Sequence, residues 1–271
     1  MRSGSFFLHM ISLEARKLMS YRVDFWITML VNMVAHLVVL WAIWNALFSE
    51  SNQQFIGGWD LQGILAYGVM VFLTGRIVRG GDLQMTIATE IYDGTLSRFL
   101  VYPRNYVLTK YAQQLGNVAP DLVQSLLMAM VAIPALGLST TAIVSPASVA
   151  MAVPSIMVAH LLFFLMSLPP QFVAFWADNV WSLSVLLRFV SMLLGGALLP
   201  LSLFPEPMQQ LLSWLPFVYL YQFPTLVLLG KVGVAEWATG IGSCLIWCIV
   251  MGFLAVPFWK RGGLRYTGVG I

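Results

Sequence analysis

Of the 271 residues, 59% are hydrophobic and only 9% charged, against roughly a quarter charged in a soluble domain, so the chain cannot cover a water-facing surface. The formal charge of +3 comes from basic residues lying between apolar blocks, where they orient a chain in a bilayer; this argues against a nucleic-acid-binding protein. The apolar excess comes in blocks near the roughly 20 residues that cross a hydrocarbon core, which makes nearly the whole chain, residues 1–271, a single membrane domain.

In chain order, the first 24 residues place Phe7, Met10, Ile11 and Leu18 on one side of a helix and Glu14, Arg16 and Lys17 on the other. That is the pattern of an amphipathic cytoplasmic helix lying in the interface. This stretch has no uninterrupted apolar run and no cleavage site, so no signal peptide is expected. Spans are predicted at 25–48, 61–78, 118–138, 149–175, 183–203 and 238–258. The fourth carries Pro154, Pro169 and Pro170, which predict kinks or a broken end.

Between spans two and three, residues 79–114 form the longest polar stretch and read as a cytoplasmic helix-loop-helix. Leu83, Ile87 and Ile91 share one helical face, Gly94 stops that helix, Thr95 caps the next and Pro103 ends it. Residues 205–236 are mostly apolar but are cut by Pro205, Pro207, Pro216 and Pro224, leaving no proline-free piece before Gly230 long enough to cross. Two short helices that enter the membrane and return fit this segment, provided protein covers their loose backbone groups.

Charge placement tests the count. Arg2, Arg16, Lys17 and Arg22 precede span one, Arg79, Arg98, Arg104 and Lys110 lie between spans two and three, and Lys260, Arg261 and Arg265 follow span six, whereas the loops of the other side hold only Lys231. Six crossings with both termini cytoplasmic satisfy this bias, and seven would put the basic tail outside. The expected fold is all-α and polytopic: six transmembrane helices, an N-terminal interfacial helix and a re-entrant hairpin between spans five and six.

Chemistry-bearing motifs are sparse. Gly230-Lys231 lacks the upstream glycine and following Ser/Thr of a phosphate-binding loop, so this chain is not expected to hydrolyse nucleotide. Ser243 has no histidine after it and no Gly-x-Ser-x-Gly turn, which disfavours a membrane serine protease. Cys244 and Cys248 share a helix face but have no further ligands near in sequence and read as small apolar residues. The intramembrane polar residues Asn32, His36 and Asn45 of span one and His160 of span four read as helix-helix glue. Arg188, about two turns into span five, either snorkels to the cytoplasmic interface or pairs with an acid across a helix interface. Asp24, Arg76 and Asp121 read as interfacial anchors. Six tryptophans, among them Trp59, Trp237 and Trp259, stand where interface belts form.

Several features in order then resemble the permease subunits of ABC-2-type ABC transporters, specifically the bacterial six-span permeases that pair with a separate ATPase. They are the N-terminal interfacial helix, Glu90 with Gly94-Thr95-Leu96 and Pro103, Gly195-Gly196-Ala-Leu-Leu-Pro200, Phe204-Pro205-Glu-Pro207, Leu215-Pro216-Phe217, the run from Gln222-Phe-Pro224 to Gly230, and the tail from Arg261 to Gly268. The resemblance implies that residues 79–114 hold a coupling helix seated in a cleft of a cytoplasmic ABC ATPase dimer, with Glu90, Asp93, Gly94, Thr95, Leu96 and Arg98 at the contact and Glu14 and Lys17 beside it. It also implies that spans one and five meet a second permease, identical or paralogous, and that the re-entrant pair closes the path on the outer side. ATP and Mg are expected in the partner ATPase and no cofactor in this chain, which would sit in the bacterial inner membrane among its lipids. The predicted path has few charges and suits an amphiphilic drug, lipid or lipid-linked glycan. A secondary transporter or channel not driven by ATP is the alternative reading.

Overall fold

The computed structural model describes residues 9–13, 16, 22–80, 85–102, 104–138 and 144–268, with the backbone alone at 22–25 and 29. Residues 9–13 are helical, in line with an N-terminal helix; Glu14 and Lys17 lie outside the described residues. From Arg22 onward the regular structure of the described chain is helical, with no β-strand and only an isolated bridge between Ile56 and Trp59.

Helix α1 (Arg22–Ser51) runs about 45 Å at 1.5 Å per residue. Among its described side chains nearly all of the apolar surface is uncovered, Met33 and Trp44 alone being buried. Helix α2 (Leu61–Arg79) is the opposite, buried almost continuously from Ile64 to Val78. Asp60 caps its start by accepting the Gly63 N–H at 3.2 Å, and Gly80 ends it in the left-handed conformation. Two short helices, α3 (Thr86–Tyr92) and α4 (Leu96–Leu100), follow in the polar stretch.

Helix α5 (Tyr106–Ala135) begins about three turns before the apolar block that predicts span three. Its polar first half stays helical because its side chains find partners on neighbouring elements. Gln114 donates to the Arg79 carbonyl at 3.1 Å and Asn117 to the Gly80 carbonyl at 3.3 Å. Helix α6 (Pro146–Phe172) starts on a capping box in which Ser145 and Ser148 exchange hydrogen bonds of 3.0 and 3.1 Å. It passes through Pro154 unbroken and converts after Pro169 and Pro170 into a 3-10 turn, Val173–Phe175.

Helix α7 (Trp181–Leu194) has only 14 residues, about 21 Å of rise against a core of about 30 Å. Residues 183–203, predicted as one spanning helix, are therefore not a continuous helix: α7 is too short to cross alone and is followed by an irregular stretch ending in the 3-10 turn Leu201–Leu203. The following segment holds α8 (Glu206–Ser213), a 3-10 turn at Pro216–Tyr219 and α9 (Gln222–Leu228), and its two halves meet at 74°. Each proline stands at the start of a piece, where its missing N–H has no helical partner to lose: Pro205 and Pro207 at α8, Pro216 at the 3-10 turn, Pro224 in the first turn of α9. Pro216 and Pro224 are buried, Pro205 and Pro207 exposed.

The bend is held as lipid demands, with backbone groups satisfied by protein. The Gln222 N–H donates to the Gly195 carbonyl at 3.0 Å, the Gln222 side chain accepts from the Leu201 N–H at 2.7 Å, and the Tyr67 hydroxyl donates to the Gly196 carbonyl at 2.6 Å. Gly195 permits the approach: an added Cβ would lie 2.6 Å from the Phe217 carbonyl oxygen, and Gly196 sits at φ +82°. The last helix, α10 (Val234–Gly263), packs along α6. Among the described residues five helices are long and apolar enough to cross a membrane, six where the bent α8–α9 pair counts as one span, and the protein is an all-α polytopic membrane protein.

Two apolar cores result. One centres on α2 and α6 with Leu220, Tyr221, Cys244 and Cys248; the two cysteines are buried and unbridged. The other lies at one end of the bundle, where Ile87, Ile91 and Leu96 meet Tyr106, Leu168 and Phe172.

Candidate functional site

The α3–α4 segment is tied to the spans at four points. The Ile87 N–H donates to the Gln171 side-chain oxygen of α6 at 3.1 Å, and the Tyr92 hydroxyl donates to the Ala177 carbonyl just past α6, also at 3.1 Å. Burial pushes the Tyr92 phenol above its ordinary pKa, and the Asp178 carboxylate adds to this while a backbone hydrogen bond at Val180 opposes it. Glu90 accepts from the Tyr106 hydroxyl at 2.5 Å and forms an ion pair with Lys110 of α5. Lys110 is 4% exposed and also lies 4.4 Å from the centroid of the Phe99 ring.

The fourth tie replaces an expected cap. Thr95 makes no side-chain cap on α4 and has helical backbone angles. Its role falls to Tyr266 of the C-terminal tail, whose hydroxyl accepts from the Ser97 N–H at 3.1 Å and donates to the Gly94 carbonyl at 2.6 Å. Gly94 takes φ +70°, the left-handed turn that lets α4 reverse against α3.

Within the expected contact set, Asp93 and Arg98 are exposed, while Leu96 at 1% exposure fastens α4 to the core. Glu90 is turned inward by its pairing. The surface that α4 offers lies just beyond: Val101 is 83% exposed, and Leu100 and Tyr102 are exposed beside it. Pro103 falls outside the described residues.

The intramembrane polar residues divide. His36 bonds the Gly68 carbonyl at 3.2 Å and stacks on Phe72, joining α1 to α2. His160 bonds the Ile77 and Val78 carbonyls at 3.1 Å, joining α6 to the end of α2. Asn45 is exposed on α1. Asn32, His36 and Arg188 all border one cavity of about 470 Å³ between α1, α2, α5 and α7.

Arg76 and Asp121, expected at the interface as separate anchors, are instead an ion pair at 3.1 Å joining α2 to α5, with the Gln124 oxygen also accepting from Arg76. Arg79 lines the same cavity, its guanidinium against Met192 and within the field of Arg76 and Arg188. A path with few charges was expected, but this cavity holds three arginines. The belt tryptophans also do more than border the membrane: Trp59 is buried, its indole donates to Ser202 at 2.9 Å, and the Lys231 ammonium lies 3.5 Å from its ring centroid.

A family model described as ABC-2 family transporter protein matches residues 30–270, almost the full chain. The chain belongs to the ABC-2 transporter family. It is therefore the membrane subunit of an ABC transporter, and the family implies an ABC ATPase as partner. No curated protein and no solved structure shows a significant match. Within this ABC-2 subunit, the residues that sequence reasoning missed are Tyr106, Lys110, Gln171 and Tyr266, which brace the α3–α4 segment. Only the tail motif containing Tyr266 carried any signal.

Proposed function

We propose that the protein is the export permease of a complex in which an ATPase dimer, binding ATP and Mg, drives transport through the α3–α4 segment. One observation carries this reading: the segment is braced on α5, α6 and the tail after α10 by Glu90, Gln171 and Tyr266, yet it offers Leu100, Val101 and Tyr102 uncovered at its tip. A lever needs both a rigid anchor and a free handle. Movement of the handle reaches α5 through Glu90 and Lys110, and repacks the spans between two arrangements.

The exposed apolar faces of α1 and α7, among them Val34, Val38, Leu186 and Phe189, meet a second permease, with the translocation path between the two copies. The bent α8–α9 pair with Pro205, Pro207, Pro216 and Pro224 closes that path on the outer side. The protein resides in a bacterial inner membrane with both termini cytoplasmic, and its substrate is an amphiphile: a drug, lipid or lipid-linked glycan. The test is Val101→Asp with Tyr102→Asp in the assembled complex. Loss of ATPase copurification and of transport-stimulated hydrolysis, with the permease inserted and folded, is expected. Wild-type values for both would refute the assignment of Asp93, Arg98 and the α4 tip to the ATPase contact.

A further inference from the structure

The cavity between α1, α2, α5 and α7 is built against the expectation of a path with few charges. Three guanidiniums, Arg76, Arg79 and Arg188, border it together with a single carboxylate, Asp121. Arginine stays charged in proteins, and intramembrane charges are retained where they pair with an opposite charge or line a path.

Asp121 and Gln124 engage Arg76. Among the described residues no carboxylate lies within ion-pair distance of Arg79 or Arg188; Arg79 sits in the field of Arg188 and Arg76, and its one opposing neighbour there is the hydrogen-bonded Tyr221 hydroxyl, not an acid. A second copy meeting this one across α1 and α7 brings no remedy. Between its ends α1 carries no acid, its only acidic residues being Asp24 and Glu50, and the one charged residue of α7 is Arg188 itself. The rest of the lining mixes the polar Asn32, His36 and Tyr221 with the apolar Val71, Phe72, Met192 and Leu198. A cavity in which an excess of guanidiniums stands beside apolar side chains is complementary to an anionic head on a hydrocarbon body.

We infer that this cavity binds the phosphate or carboxylate head of an anionic amphiphile, with Arg79 and Arg188 as its ligands and Arg76 positioned by Asp121. The inference rests on the permease reading and narrows its substrate class. Arg188 is exposed on α7, so its replacement leaves the helix packing intact, and it carries the test; Arg79 is tucked against Met192 and serves as a second variant.

The purified full-length chain is placed in phosphatidylcholine nanodiscs, and energy transfer from its tryptophans to dansyl-labelled phosphatidic acid is titrated against the same label on phosphatidylcholine. The wild type is expected to take the anionic probe at least about tenfold more tightly. Arg188→Gln is expected to lose about tenfold, the scale of one charge-assisted contact, and Arg188→Lys to recover most of it. Equal affinity for the two probes, or an unchanged Arg188→Gln, overturns the inference. Inorganic phosphate binding as well as the lipid probe overturns the amphiphile assignment. ATPase stimulation in the assembled complex is read separately, so a failed anion preference with intact stimulation removes this site and leaves the permease reading standing.

Discussion

Glu90→Gln tests how the α3–α4 segment is braced. The Lys110 ammonium is 4% exposed and loses its carboxylate, a change that in a buried pair costs about 3–5 kcal/mol. Part is retained, because Gln at position 90 still offers a neutral oxygen, Gln113 accepts from Lys110 at 2.9 Å and the Phe99 ring stays beneath it. The expected loss is about 2–3 kcal/mol. Lys110→Met leaves Glu90 with the Tyr106 hydroxyl at 2.5 Å, so its cost is about 2 kcal/mol, and the double variant should lose about 1–2 kcal/mol less than the sum of the two. Equilibrium unfolding of the detergent-solubilised protein, run as a double-mutant cycle, measures each term. A Glu90→Gln loss under about 0.5 kcal/mol, or additivity of the two changes, would show that the pair does not brace α3 on α5.

Three further outcomes are expected. Gly195→Ala should destabilise by about 2 kcal/mol or more, since its Cβ would stand 2.6 Å from the Phe217 carbonyl oxygen; a neutral thermal shift contradicts this. Tyr67→Phe removes the 2.6 Å bond to the Gly196 carbonyl and should cost about 1–2 kcal/mol in the same assay. Burial raises the folded pKa of Tyr92 above that of an ordinary tyrosine, so above about pH 10 the unfolded chain loses the proton first. Its contribution is complete below that pH and falls as pH rises through the folded value, and Tyr92→Phe should flatten that part of an alkaline unfolding profile.

Five spans, 25–48, 61–78, 118–138, 149–175 and 238–258, were legible because an apolar block of span length has few other uses, and the break within residues 205–236 because four prolines cut it. The fifth span was read too long: residues 195–203 are as apolar as α7, and only the Gly195-Gly196 pair and Pro200 mark where the helix stops. The early start of α5 was hidden because Lys110, Gln114 and Asn117 look water-facing until Glu90 and the carbonyls of Arg79 and Gly80 are brought to them. Arg76 and Asp121, 45 residues apart, look like separate anchors for the same reason. Gly94 was readable from its helix-stopping position, whereas the cap beside it comes from Tyr266, 172 residues further along the chain, and no local pattern announces it.

The central claim is that the tip of α4 carries the ATPase. A photoreactive amino acid placed at Val101 in the assembled complex tests it most directly, with one at the exposed Asn45 of α1 as control. Crosslinks from position 101 to the ATPase that change when ATP is added, with none from position 45, are the predicted result. Crosslinks from position 101 only to lipid or to the second permease would contradict the claim.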